Sequence, residues 1–120
     1  MIILFGLKAC DSCRKMRAWL DARGIDHRSV DLRGTPPDAG LLDRWLDAVG
    51  HDRLLNRRST TWRALDPADR TDVDAAKAHA LMLAHPTLIK RPVLDIAGRI
   101  HVGDSPASRE AALAAAGSGP

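Results

Sequence analysis

The sequence predicts an α/β fold: a β-α-β unit, a helical insertion and a closing β-β-α unit around a four-stranded mixed sheet. Three observations carry this. An apolar run, Met1 to Phe5, leads into a helical pattern and then an alternating stretch. The middle of the chain holds several helix-capping signals with helical spacing between them. Beyond it, two β-type runs separated by Ala97-Gly98-Arg99 precede a last helical run.

Taken in order, Ile2 to Phe5 suits a short buried strand. Asp11 to Arg23 places Cys13, Met16 and Leu20 on one stripe with Trp19 beside them, which is helical spacing. Gly24 fits the position after the helix, where a left-handed backbone is common. Ile25 to Leu32 alternates for part of its length and reads as a strand parallel to the first. Thr35-Pro36-Pro37-Asp38 predicts a helix start, with Thr35 as cap and Pro36 in the first turn; Leu41, Leu42, Trp45, Leu46 and Val49 mark its apolar face, and Gly50 ends it. A basic link, Asn56 to Arg63, leads into a short helix through Leu65, and Asp66-Pro67 and Thr71 to Asp74 signal a further helix from Val73 to Ala84. The run Leu88 to Ile96 returns to strand character, Ile100 to Val102 is its antiparallel partner, and Ser105-Pro106 opens a helix through about Ala115. One domain is expected over 1–116, with the insertion at about 36–85 and a mobile tail, 117–120.

In a chain of 120 residues, 45% hydrophobic and 28% charged, there is room for one real core and no reason to expect disorder. The net charge of +3 is spread among mixed Arg and Asp, the pattern of a solvated surface that tolerates an anionic small molecule or acidic partner. With Phe5, Trp19, Trp45 and Trp62 as the aromatic residues, stacking platforms for single-stranded nucleic acid are lacking, and no direct nucleic-acid binding is expected. No run has the length of a membrane span, and Met1 to Phe5 lacks the flanks of a signal peptide, so a cytoplasmic protein off the membrane is expected.

Chemistry concentrates at Cys10-Asp11-Ser12-Cys13, where strand passes into helix. A thiol at a helix N-terminus faces unpaired N–H groups and the positive end of the dipole, which favour thiolate. Cys10 lies at this mouth, and Cys13 one turn on, along the buried stripe. Lys8 is a further cation near the thiol. Two cysteines so close cannot staple a fold, and His27, His51, His79, His85 and His101 are too scattered to complete a zinc site; redox or nucleophilic chemistry is preferred, with no metal.

The order of elements with a Cys-x-x-Cys mouth is similar to the thioredoxin-like architecture, and the chain resembles the ArsC/Spx family. That family includes glutaredoxin-type arsenate reductases, Spx regulators of RNA polymerase and YffB-type proteins. Gly6-Leu7-Lys8-Ala9-Cys10-Asp11-Ser12, Asn56 to Leu65 and His85-Pro86-Thr87-Leu88-Ile89-Lys90-Arg91-Pro92 look most like the YffB-type branch.

The resemblance implies that Cys10 is the nucleophile, that Pro92 is a cis-proline opposite it, and that Arg91 lies beside the sulfur. A guanidinium there lowers a thiol pKa and grips an oxyanion or carboxylate. Arg58, with Arg57 in reserve, matches an arginine of the YffB-type and Spx branches, so Lys8, Arg58, Arg91 and Pro92 are candidates for substrate binding. Arsenate reductases carry a further arginine ahead of the last helix, where this chain has Gly103-Asp104-Ser105; arsenate chemistry is disfavoured accordingly. Cys13, followed by Arg14-Lys15, leans toward Spx, and Gly50 falls where Spx contacts the RNA polymerase α-subunit. The implied function is a thiol-disulfide oxidoreductase coupled to glutathione as co-substrate, or to a glutaredoxin, with no bound cofactor. A redox regulator on RNA polymerase and a true arsenate reductase are the alternatives. A monomer is expected.

Overall fold

The computed structural model describes residues 1–117, Gly117 by its backbone alone, so the expected tail 117–120 otherwise lies outside the described residues. The elements run β1 (Ile2–Gly6), α1 (Asp11–Ala22), β2 (His27–Asp31), α2 (Ala39–Val49), α3 (His51–Leu54), α4 (Thr60–Ala64), α5 (Ala75–Ala84), a 3₁₀ turn (Pro86–Leu88), β3 (Val93–Ile96), β4 (Arg99–Val102) and α6 (Pro106–Gly117). They form two compact units: Met1–Asp31 with the chain from Arg91 onward, and Leu32–Lys90. The second unit is thus wider at both ends than the insertion expected at 36–85.

In the first unit the strands form one mixed sheet, ordered β2-β1-β3-β4. β1 runs parallel to β2, with Leu4 opposite Ser29, and antiparallel to β3, with Leu4 opposite Leu94; β3 and β4 are antiparallel. The central position of β1 accounts for its apolar run, since Ile2, Leu4 and Phe5 are all buried. β2 lies at an edge and is polar, His-Arg-Ser-Val-Asp, which blunts pairing with other chains.

The α1 stripe is as the spacing predicts: Cys13, Met16 and Leu20 are buried. Leu20 and Met16 join Ile2, Leu4, Ile25, Leu94, Ile96 and Ala112 in the core, with Trp19 packed at its margin. The helix ends in a Schellman motif: Gly24, at φ +63°, donates its N–H to the Asp21 carbonyl, and Ile25 donates to that of Leu20. The strand starting at Ile25 is shortened as a result, because Ile25 serves the helix end and the core.

In the second unit, α2 begins at Ala39 rather than at Pro36. Pro37 holds Pro36 out of the helical region, and Asp38 is the working cap, its Oδ1 accepting the Leu41 N–H at 2.8 Å. Gly50, at φ +82°, ends α2 and opens the unforeseen one-turn α3. Asp74 caps α5 through the Lys77 N–H, so that helix starts two residues after the expected Val73. Ser59 caps α4, which stops at Ala64.

The strand expected from Leu88 is shorter for a different reason. Leu88 and Ile89 are held within their own unit: the Leu88 carbonyl accepts from Asn56, Ile89 bridges Leu55, and Lys90 donates to Leu54. Only Val93–Ile96 joins the sheet. Among the described residues no helix is long and apolar enough to cross a membrane.

Candidate functional site

The mouth is built where β1 gives way to α1. Cys10 donates its N–H to the Leu7 carbonyl at 3.2 Å, closing a tight turn, and its own carbonyl accepts the Arg14 N–H at 3.0 Å, making it the N-cap residue of α1. Cys10 is half-buried, while Cys13 is fully buried.

Burial alone would push the Cys10 thiol up. It is overcome by the Cys13 N–H, which faces the sulfur, by the Cys13 thiol, and by hydrogen bonding to and the charge of Arg91, so the net shift is downward. Cys13 goes the other way, to about 11: burial is the main cause, and the neighbouring Cys10 sulfur adds to it against the Leu7 N–H and Arg91. The two thiols are therefore unequal. Cys10 ionises first, and Cys13 keeps its proton and shares it toward the Cys10 thiolate.

Arg91 begins the second stretch of the first unit, joined to Pro92 by a cis peptide bond. Pro92 is buried, and its carbonyl accepts the Gly103 N–H at 2.7 Å, which fixes the turn after β4 beside it. Lys8 is exposed in the loop between β1 and α1, and its carbonyl accepts from Arg17 at 3.4 Å. A cavity of about 230 Å³ opens there, lined by Gly6, Leu7, Lys8, Arg17, Ser29 and Asp31 among others. It lies at the C-terminal ends of the two parallel strands, where open α/β sheets commonly take ligands.

The structure thus brings Cys10, Cys13 and Arg91 together, with Pro92 joined to Arg91 and Lys8 on the loop before α1. Arg58 belongs to the second unit, where it is exposed ahead of α4 and donates its backbone N–H to the Asn56 side chain. Arg57 beside it pairs with Asp52 at 3.3 Å and lies over Trp62. Asp104, expected to repel an oxyanion, is engaged instead: both its oxygens accept from Arg109, at 2.8 and 3.0 Å, and Arg109 also lies over Trp19. Among the described residues no group of three or more His, Cys, Asp or Glu could hold a metal.

Sequence reasoning missed Leu7 and Gly6 as parts of the thiol site. Leu7 acts through its backbone N–H, which no side-chain pattern reports. Gly6 backs onto the Cys13 sulfur, which would lie 2.5 Å from a Cβ at position 6.

The ArsC family model matches residues 5–112. A solved YFFB protein is 44% identical, covering 94% of this chain and 99% of its own, at a TM-score of 0.89. An arsenate reductase related protein from Brucella melitensis is 45% identical, covering 92% of each chain, at a TM-score of 0.75. The global transcriptional regulator Spx of Lactiplantibacillus plantarum is 28% identical over 86% of this chain and 79% of its own. The match begins near the end of β1, takes in the thiol mouth and runs into α6, and the chain belongs to the ArsC family, with its thioredoxin-like fold.

Proposed function

We propose that the chain is a cytoplasmic thiol-disulfide oxidoreductase that draws its electrons from glutathione or a glutaredoxin. The observation that carries this is the inequality of the two thiols: an accessible Cys10 pushed down and a sealed Cys13 pushed up, with Arg91 at the same sulfur.

Cys10 thiolate attacks one sulfur of a substrate disulfide. A mixed disulfide forms, the substrate S–S bond breaks, and the departing thiolate takes a proton. Once Cys10 is uncharged, part of what holds the Cys13 proton is gone, because the Cys10 sulfur is one of the causes of its raised value. Cys13 then gives up its proton and attacks Cys10, releasing the second substrate thiolate and leaving a Cys10–Cys13 disulfide. Two electrons have passed to the substrate, and two glutathione molecules or a reduced glutaredoxin restore them. Glutathione attacking the mixed disulfide directly is the one-thiol version of the cycle. Lys8 and Arg17, beside the 230 Å³ cavity, suit the carboxylates of glutathione by charge.

Cys10→Ser and Cys13→Ser variants decide between these steps. Cys10→Ser is expected to lose turnover and form no mixed disulfide. Cys13→Ser should accumulate one on Cys10, detectable by mass spectrometry, and retained glutathione-dependent turnover in this variant would assign resolution to glutathione. Turnover surviving Cys10→Ser refutes the proposal.

The likeness to Spx over 86% of the chain supports a second reading: a redox switch bound to the RNA polymerase α-subunit, its surface altered by the Cys10–Cys13 disulfide. Polymerase pull-down under oxidising and reducing conditions, with no glutathione turnover, would favour it. Arsenate reduction is the weaker alternative because Arg109, at the start of α6, is committed to Asp104 and Trp19. Turnover of arsenate with glutathione and glutaredoxin would reverse that judgement.

A further inference from the structure

Gly6 is the last residue of β1 and is buried. Its backbone is not in the left-handed region, so conformation does not demand glycine. A strand disfavours glycine against alanine where packing allows either. What excludes a side chain here is the Cys13 sulfur: a Cβ on residue 6 would lie 2.5 Å from Sγ, 3.2 Å from Cys13 Cβ and 3.3 Å from Leu4 Cδ2. The last two contacts need only small adjustments, but at 2.5 Å the sulfur itself must move.

We infer that Gly6 is a positioning residue for the thiol pair: the missing side chain leaves the niche in which Cys13 Sγ stays against the Leu7 N–H and within reach of Cys10. This deepens the oxidoreductase reading and rests on it. Any Cβ at position 6 rotates Cys13 out of the niche, and Cys10 loses the thiol that faces it. The charged or titratable groups acting on the Cys10 sulfur are Cys13 on α1 and Arg91 ahead of β3, so once the Cys13 thiol turns away Arg91 alone remains of them.

The test is iodoacetamide alkylation of Cys10 as a function of pH, with mass spectrometry locating the label, in wild type, Gly6→Ala, Cys13→Ala and the double variant. Wild-type Cys10 should ionise below an ordinary cysteine. Gly6→Ala should shift its apparent pKa up by about half a unit or more, which slows alkylation about threefold at a pH below both values. The double variant should match Cys13→Ala alone, because Gly6 acts only through the Cys13 sulfur. Should Gly6→Ala fail to fold, the double variant, lacking the clashing atom, should fold and melt near Cys13→Ala. A Gly6→Ala profile equal to wild type, additive effects in the double variant, or no rescue of folding overturns the inference while leaving the oxidoreductase reading intact. Wild-type Cys10 titrating as an ordinary thiol sinks both.

Discussion

Replacing Arg91 with methionine removes a charge and a hydrogen bond from the Cys10 sulfur while keeping much of the side-chain volume. Burial of the sulfur is then opposed by the Cys13 N–H and thiol alone. Arg91→Met is expected to raise the apparent pKa of Cys10 and slow its alkylation at neutral pH severalfold, with little change at a pH where the thiol is fully ionised. Equal slowing across the whole pH range would instead indicate lost access. The placement of Cys10 at the mouth of α1 was legible because a strand-to-helix passage is a sequence feature. The state of Cys13 was only half legible. Its place on the buried stripe follows from the spacing, whereas its contacts with Leu7 and Cys10 depend on how tightly the turn closes.

At the scale of elements, the β3–β4 hairpin turns on two residues with positive φ, Ala97 at 52° and Gly98 at 88°, the pattern of a type I′ turn. Alanine is poorly suited to the first of these, and asparagine is well suited. Ala97→Asn should stabilise the protein by about 0.5–1 kcal/mol, read as a higher urea midpoint with unchanged slope. In the opposite direction, Asp74→Ala removes the cap of α5 and should cost about 1 kcal/mol, read from the same midpoint. The starts of α1 and α6 fell where spacing and capping signals put them, whereas α2 and α5 begin later than expected for reasons of local chemistry. Consecutive prolines moved the start of α2 to Asp38. The segment Leu88 to Lys90 was different: it carries strand-like residues, yet its hydrogen bonds go to 54–56, a pairing between distant positions that no local window contains.

At the scale of the whole molecule, the buried Cys13 thiol couples ionisation to folding. The unfolded chain ionises it near its ordinary value of 9.0, and the fold holds the proton to about 11. The stabilisation is therefore complete below pH 9 and is lost as pH rises toward 11. Over that window wild type should lose roughly 2 kcal/mol more stability than Cys13→Ala, measured as the difference between their denaturant unfolding curves. Cys10 has the opposite sign: its lowered value favours the fold above its ordinary pKa, and this contribution fades as pH falls through the folded value. Parallel pH profiles for wild type and Cys13→Ala would show that the inner thiol is not held protonated by the fold.

By itself the sequence determined the order of the elements apart from α3, a four-stranded mixed sheet, and the placement of Cys10 at a helix mouth with Cys13 on the buried stripe. These are matters of periodicity, capping and spacing within a few residues, where local sterics and hydrogen bonding decide. That Arg91 meets the Cys10 sulfur was implied by the family resemblance and not by local pattern, and only the tertiary structure decided that Asp104 pairs with Arg109 and that the Cys13 sulfur occupies the space a side chain on Gly6 would need. Each of these depends on the approach of atoms from separate elements, and that approach is set by packing and burial rather than by neighbours along the chain.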